Sequence, residues 1–394
     1  MHNPIKIFQL LTGGISTLVL TMGIARFTYT PALPRMQEAL ALGDDTAGLL
    51  AAANFAGYLS GALLASRIST ALLKQQLFRI GLILALACNA LLPLFDNTLA
   101  WSLLRYLSGL GSAAGMVIGT SLVLEQLARE GKAQLIGVHF GGVGVGIVIT
   151  ALALGGSGNL DWQQTWWVSA LIGSLFFLPA WFWVRAANQS PTEQPKPAAA
   201  RPHLGQPFVF LASSYFFAGG SFAVGTTFII AVIQANPVMS GEGQLVWLLL
   251  GLAAAPSCYI WVRLANHWSA IQALFFAFTL QTLGLLLPLI DATSTALMGG
   301  LCFGFTFMGI VAMVLSQAGQ LAHKNPARLM GLLVTAYGVG QISGPLLAGQ
   351  LMAQSGNPVI ALWLAAGFSA AGTLLVLGTK QREPQPRMAC PQVG

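Results

Sequence analysis

The sequence predicts an all-α integral membrane protein of 12 transmembrane helices in two pseudo-symmetric six-helix halves, with both termini cytoplasmic. Three observations predict it: a charge-poor composition, 12 apolar windows long enough to cross a bilayer, and a one-sided distribution of basic residues. Of 394 residues, 55 % are hydrophobic and only 7 % charged, against about 25 % charged in soluble domains. A soluble chain of this length needs a charged surface that this one cannot supply, so hydrocarbon is its solvent.

Other classes fall away on the same residues. The formal charge of +7 is scattered singly along the chain, not gathered into the patch that phosphate binding requires, so no nucleic-acid partner is expected. Cys88, Cys258, Cys302 and Cys390 show no CxxC or Cys/His spacing. Neither a disulfide framework nor a metal site is indicated, and no cofactor is called for. The first apolar run continues past any small-residue cleavage site, which predicts a retained first span, not a removed signal peptide.

A helix needs about 20 apolar residues to cross the hydrocarbon core. The windows that qualify are 8–30, 46–66, 77–95, 99–124, 134–156, 165–185, 208–234, 244–262, 270–290, 294–320, 329–352 and 358–378. The joins are short and carry turn or charged residues, such as Asp44-Asp45, Asp96-Asn97, Asn236-Pro237 and Asn325-Pro326. One differs: residues 186–207 are polar and proline-rich, the composition of a flexible linker. The expected division is therefore an N-terminal six-helix bundle over 1–185, a cytoplasmic linker over 186–207, and a C-terminal six-helix bundle with a short tail over 208–394.

Charge sets the orientation, because Lys and Arg in short loops stay on the cytoplasmic side. With the N-terminus inside, the cytoplasmic segments hold 15 of the 18 basic residues, all except Arg26, Arg35 and Arg105. The opposite loops hold Glu38, Asp44, Asp45, Asp96, Asp161, Glu242 and Asp291. Omitting one span would invert every later loop and destroy this separation.

An internal repeat supports the two halves. AQLIG at 133–137 recurs as ARLMG at 327–331, each opening a span and each followed by GVG, at 142–144 and 338–340. Span 5 thus resembles span 11 in the same orientation, as parallel halves related by an axis along the membrane normal would.

Twelve spans in a six-plus-six plan with a central cytoplasmic linker resemble the major facilitator superfamily. GIARFTYTPALPRM (23–36), GLAAAPSCYIW (251–261) and TAYGVGQISGPLLAG (335–349) are similar to its YbfB/YjiJ-type branch of bacterial transporters. RYLSGLG, Arg105 to Gly111, is similar to the superfamily's Arg-x-x-x-Gly-x-Gly pattern in span 4. Two positions depart from the pattern. After Gly61, Ala65 and Ser66 occupy the acidic and basic places of the loop motif between spans 2 and 3, and span 5 lacks the antiporter Gly-Pro step, which occurs as Gly344-Pro345 in span 11. The resemblance implies a monomeric multi-pass protein of the bacterial inner membrane: a secondary active transporter of a small solute by alternating access, proton-coupled. The alternative it leaves is proton-coupled efflux of lipophilic or drug-like compounds.

Two residues stand out chemically. An arginine at mid-membrane costs about 2.5–3.5 kcal/mol on insertion scales, so it faces a partner or a wet cavity. Arg26 and Arg105 lie inside apolar runs. Tyr29 and Thr30 follow Arg26 on the same helical face, and Ser108, Gly109, Ser112, Gly115 and Gly119 make one side of span 4 small and polar, open to close approach. On one reading these arginines give a central cavity a positive potential that attracts an anionic group. On the other they snorkel to headgroups or donate to carbonyls freed near Pro31 and Pro34.

Glu125 is the only acid within a predicted span and the first candidate for a proton carrier, although Arg129 at i+4 is spaced to pair with it. His139, a residue type able to titrate near neutral pH, is the second candidate, with a hydrogen-bonded packing role as its alternative. The C-terminal spans hold no charge, so Tyr215, Tyr337 and Gln341 are the substrate-binding candidates there, beside Arg26, Tyr29 and Arg105. Neither Glu125 nor His139 has the convergent partners that intramembrane catalysis needs, and no Walker loop is present. No enzyme is expected, and the duplicated glycine-rich halves argue against a channel.

Overall fold

The computed structural model describes residues 4–68, 70–155, 160–186, 205–321 and 326–379. Residues 187–204 of the expected linker, Lys324 and Asn325, the Arg328 side chain, and the tail from Lys380 with Arg382, Arg387 and Cys390 lie outside the described residues.

Among the described residues, twelve helices are long and apolar enough to span a membrane: α1 (Ile5–Leu40), α2 (Asp44–Ala65), α3 (Ala71–Leu94), α4 (Thr98–Arg129), α5 (Ala133–Gly155), α6 (Trp162–Trp183), α7 (Gln206–Ala235), α8 (Gly243–His267), α9 (Ala270–Leu289), α10 (Thr293–Gln317), α11 (Leu329–Ser355) and α12 (Ile360–Leu377). Each coincides with one window read from the sequence. Local chemistry sets several starts. Asn97 caps α4 by accepting from the Ala100 amide at 2.8 Å, and Asp161 and Gln164 form a reciprocal capping box on α6, satisfying amides that have no partner within the helix.

The largest departure from the sequence reading is in α1. Pro31 and Pro34 suggest an end near residue 30, yet the helix runs on to Leu40 and stops only where Ala41 takes a left-handed φ of 49°. Residues Val19–Phe27 form a π-helical segment immediately before the prolines. Such a segment shifts the hydrogen-bond register by one residue, and the ordinary register resumes when the Ala32 amide donates to the Thr28 carbonyl at 3.1 Å. Arg26 then lies 14 residues from the helix end, about 21 Å at 1.5 Å per residue. It is deep in the bundle, not at the interface. A second π-helical segment, Ala114–Gly119, lies in α4, and a Cβ at Gly115 would overlap Thr21 of α1, so the two irregular segments meet.

The helix contacts repeat with a shift of six. α2 packs on α4 as α8 packs on α10, and α1 on α6 as α7 on α12. Between the two sixes, α5 packs on α8 as α11 packs on α2. Both seams need glycine. A Cβ at Gly144 would strike the Ala255 backbone, and one at Gly48 the Pro345 carbonyl, so these backbones approach as closely as small-residue crossings allow. Each duplicated GVG segment borders one of these seams, with Gly144 against Ala255 of α8 and Gly338 against Leu59 of α2.

With 12 described spans, the start of α1 at Ile5 and the end of α12 at Leu377 lie on one face, the terminal face. Contacts joining the two sixes continue to the opposite face, where Thr30 Oγ1 donates to the Thr226 carbonyl at 2.5 Å and Trp247 Nε1 to Thr150 Oγ1 at 3.2 Å. Phe27 meets Trp247 edge-on at 5.9 Å between them. The two sixes are thus joined on the side away from the terminal face.

Candidate functional site

The π-helical segment of α1 explains where the two intramembrane arginines go. A register shift leaves carbonyls without a regular amide partner, and inside a membrane they need donors from elsewhere. Three carbonyls of this segment receive four side-chain donors. Ser112 Oγ donates to Thr21 O at 2.5 Å, Asn89 Nδ2 to Ile24 O at 2.9 Å, and Ser108 Oγ and Arg105 Nη1 to Ala25 O at 2.9 and 3.3 Å. The small, polar side of α4 is therefore a rack of donors that fixes α1, with one more from α3.

Arg105 is consumed by that rack. It is 3 % exposed, its Nε reaches the Leu50 carbonyl at 3.5 Å, and its guanidinium lies 4.5 Å from the Tyr29 ring and 6.0 Å from Trp166. Tyr29 donates its hydroxyl to the Ala47 carbonyl at 2.8 Å. Asn54 Nδ2 donates to the carbonyl of Arg105 itself at 3.0 Å. Tyr29 thus pairs with Arg105 and α2, where helical spacing alone grouped it with Arg26.

Arg26 points the other way, between α2 and the C-terminal six. Its guanidinium lies 4.3 Å from the Phe55 ring, 4.6 Å from Tyr58 and 5.8 Å from Phe222. It is 4 % exposed, and its Nε and Nη2 are buried with no hydrogen-bond partner. Among the described residues, no carboxylate pairs with it: the acids of the spanning helices, Glu38, Asp44, Asp45 and Glu125, all lie near helix ends. The rings beyond it belong to the other half. Tyr215 and Tyr337 stack with centroids 4.4 Å apart, Phe222 lies 6.2 Å from Tyr337 at 25°, and Phe222 and Phe307 are 5.1 Å apart. Gln341, one turn after Tyr337, leaves its Oε1 buried without a donor.

The candidates therefore fall into three places. Arg26, Tyr215, Tyr337 and Gln341 share an aromatic-walled junction between the two sixes. Tyr29 and Arg105 lie beside it, occupied with backbone carbonyls. Glu125 and His139 lie toward the terminal face. Glu125 accepts from Lys74 Nζ of α3 at 2.6 Å and from Ser121 Oγ at 3.0 Å, so its ion pair crosses to another helix in addition to the expected i+4 neighbourhood. His139 is fully buried, with Nε2 3.0 Å from Thr120 Oγ1 and Nδ1 unpartnered against Gly14 of α1.

Phe55, Tyr58, Phe222, Asn54 and Asn89 were not singled out by the sequence reading. Phe55 and Tyr58 stand at i and i+3 on one face, and the two asparagines are polar interruptions of apolar runs, a signal of helix contact. Phe222 carried no signal, being one of 22 phenylalanines.

Comparisons agree with this architecture. The family described as "Uncharacterised MFS-type transporter YbfB" matches residues 18–377. Two crystal structures of the nucleoside transporter NupG superpose with TM-scores of 0.73 and 0.70. They cover 95 % of this chain and 98 % and 100 % of theirs, at 11 % and 12 % identity, which establishes likeness of fold alone. An uncharacterized 38 kDa protein encoded in the 23S RNA operon of Thermoproteus tenax is 27 % identical over 173 residues, 42 % of this chain and 45 % of that protein. The chain thus matches under half the length of that curated relative.

Proposed function

The chain belongs to the family of YbfB-like MFS-type transporters, and from that premise we propose that it is a secondary active transporter moving a small anionic solute by alternating access between its two six-helix groups. One observation carries the anionic part. Arg26, at the junction of the two groups, is buried with two donors unused and no acid beside it. Desolvating an ion costs several kcal/mol, and each aromatic face returns about 0.5–2 kcal/mol. A carboxylate brought by the solute supplies the charge that the protein withholds.

The seams support the cycle. Glycine-lined contacts between α5 and α8 and between α11 and α2 can separate and re-form without unpairing backbone hydrogen bonds. With contacts joining the sixes on the side away from the terminal face and Arg26 buried, the cycle proceeds from this occluded state by opening to the terminal side. The basic residues of the loops assign that side to the cytoplasm, of a bacterial inner membrane, with the protein acting as a monomer.

Proton coupling belongs to His139 in this reading. Glu125 is held by Lys74 near the terminal face, whereas His139 has a free ring nitrogen against α1. Thr120, Val123, Phe140 and Gly14 surround it, so a proton there adds charge against the helix that carries Arg26. The aromatic walls favour a second reading, efflux of lipophilic compounds, but an unpaired guanidinium repels the cations common among them.

The test is uptake of radiolabelled organic anions into proteoliposomes under an imposed pH gradient, with Arg26→Gln and His139→Gln alongside. Uptake lost in the first variant and uncoupled from the gradient in the second is expected. Transport of a lipophilic cation that survives Arg26→Gln overturns the anionic reading.

A further inference from the structure

We propose that the solute received at Arg26 is an aromatic monocarboxylate: a planar ring with one carboxylate and, on its far side, an O–H or N–H donor. This rests on the reading of Arg26 as the anion site and adds what the anion is built on.

Charge comes first. Among the described residues the site offers one free cation, because the neighbouring guanidinium of Arg105 is committed to the Ala25 and Leu50 carbonyls. One cation balances a monoanion and leaves a phosphate dianion in excess. The pattern of unused donors narrows this further. Nε and Nη2 of Arg26, both buried and unpartnered, lie on the same edge of the guanidinium. That edge is the side-on fork that takes both oxygens of one carboxylate in two parallel hydrogen bonds.

Shape comes second. The guanidinium is flanked by Phe55, Tyr58 and Phe222, and beyond it Tyr337 lies 25° from the planes of both Phe222 and Tyr215. Near-parallel ring faces reward a flat solute, since offset aromatic pairs contribute beyond the area they bury. The far side is set by Gln341. Its Oε1 is a buried acceptor with no donor, a deficiency that a solute O–H or N–H removes and an aliphatic end does not. A fork for a carboxylate, walls for a ring and an acceptor beyond them thus come from α1, α2, α7 and α11, from both halves of the bundle.

The experiment is calorimetric titration of the purified full-length chain with 4-hydroxybenzoate, benzoate, cyclohexanecarboxylate, phenol, uridine and inorganic phosphate. Benzoate is expected to bind about fivefold tighter than cyclohexanecarboxylate, and 4-hydroxybenzoate about fivefold tighter than benzoate. Phenol, uridine and phosphate are expected to bind at least about tenfold more weakly than benzoate. Phe222→Leu should weaken benzoate more than cyclohexanecarboxylate and so erase the preference for the flat ring. Gln341→Leu should erase only the advantage of the hydroxyl. These two variants keep the charge, so they remain informative if Arg26→Gln does not fold. Cyclohexanecarboxylate binding as well as benzoate overturns the aromatic scaffold and leaves the anion site standing. Phenol or uridine binding with no carboxylate binding overturns both. Silence from every probe overturns the aromatic proposal, and Arg26-dependent uptake of a different anion would then preserve the underlying reading.

Discussion

The two faces of α1 treat the same chemical group in opposite ways. Toward α4, a guanidinium is satisfied: Arg105 donates to the Ala25 and Leu50 carbonyls and rests on Tyr29. Toward α2 and α7, one residue further along α1, Arg26 meets only rings and keeps two donors idle. Both are buried to the same degree, 3 % and 4 % exposed, so burial does not distinguish them; partnership does. A satisfied cation belongs to the architecture, and an unsatisfied one at a junction between moving parts is available to a ligand.

The strongest way to break that comparison is to neutralise each arginine in turn and read stability and transport together. We expect Arg26→Gln to lower transport by at least about a hundredfold, because it removes a bidentate charged contact to the solute. The same change should raise thermal stability by about 1–3 kcal/mol, because an uncompensated buried charge is gone. Arg26→Lys keeps the charge and loses the fork, and should fall between, about tenfold down. Uptake rates and melting curves on the same preparations check both signs. A destabilised Arg26→Gln would mean that the rings alone satisfy this cation.

Arg105→Gln should show the opposite sign. It strips donors from carbonyls inside the membrane, and we expect a loss of about 1–3 kcal/mol in the melting curve. Ser108 still reaches Ala25 O at 2.9 Å, which keeps α1 in register and preserves partial transport. KM and maximal rate separate the roles. A pure rise in KM with unchanged melting would make Arg105 a ligand contact and end its contrast with Arg26. Asn89→Ala tests the same rack with one neutral bond, Asn89 Nδ2 to Ile24 O, and should cost about 0.6 kcal/mol, the average for such bonds in membranes.

The sequence made the twelve spans legible because length and hydropathy depend on the bilayer and hardly at all on packing. The repeat was legible for the same reason: Gly144 and Gly338 of its two GVG segments border the α5–α8 and α11–α2 seams, and close crossings admit few residues. The depth of Arg26 was not. It depends on α1 continuing past Pro31 and Pro34, and that continuation depends on a π-helical register shift whose freed carbonyls are satisfied by Asn89, Ser108, Ser112 and Arg105 from other helices. No window along α1 contains those donors. The idea that an arginine might serve carbonyls near the prolines could be stated from sequence, but which arginine does so is a tertiary fact. The aromatic walls were illegible for a related reason. Tyr215, Phe222 and Tyr337 come together only when α7 and α11 pack, with Gly219 and Gly340 bringing their backbones close.

The smallest effect is expected at Glu125, and it sharpens the comparison from outside. Glu125 is an acid within a spanning helix, and on sequence alone it was the first candidate to carry a proton. Its carboxylate is instead bonded to Lys74 and Ser121, with side chains 29 % and 16 % exposed for Glu125 and Lys74. Partly exposed pairs of this kind contribute about 0–1 kcal/mol. Glu125→Gln keeps the hydrogen bond from Ser121 and loses only the charge, so melting should fall by about 0.5 kcal/mol or less, with pH-gradient dependence intact. His139→Gln should do the reverse, leaving the fold standing and abolishing the gradient dependence while solute exchange at equilibrium continues. If uncoupling follows Glu125 instead, the proton path runs along the α3–α4 contact near the terminal face. In that case the free nitrogen of His139 against Gly14 would be packing, and the link from proton to Arg26 through α1 would have to be given up.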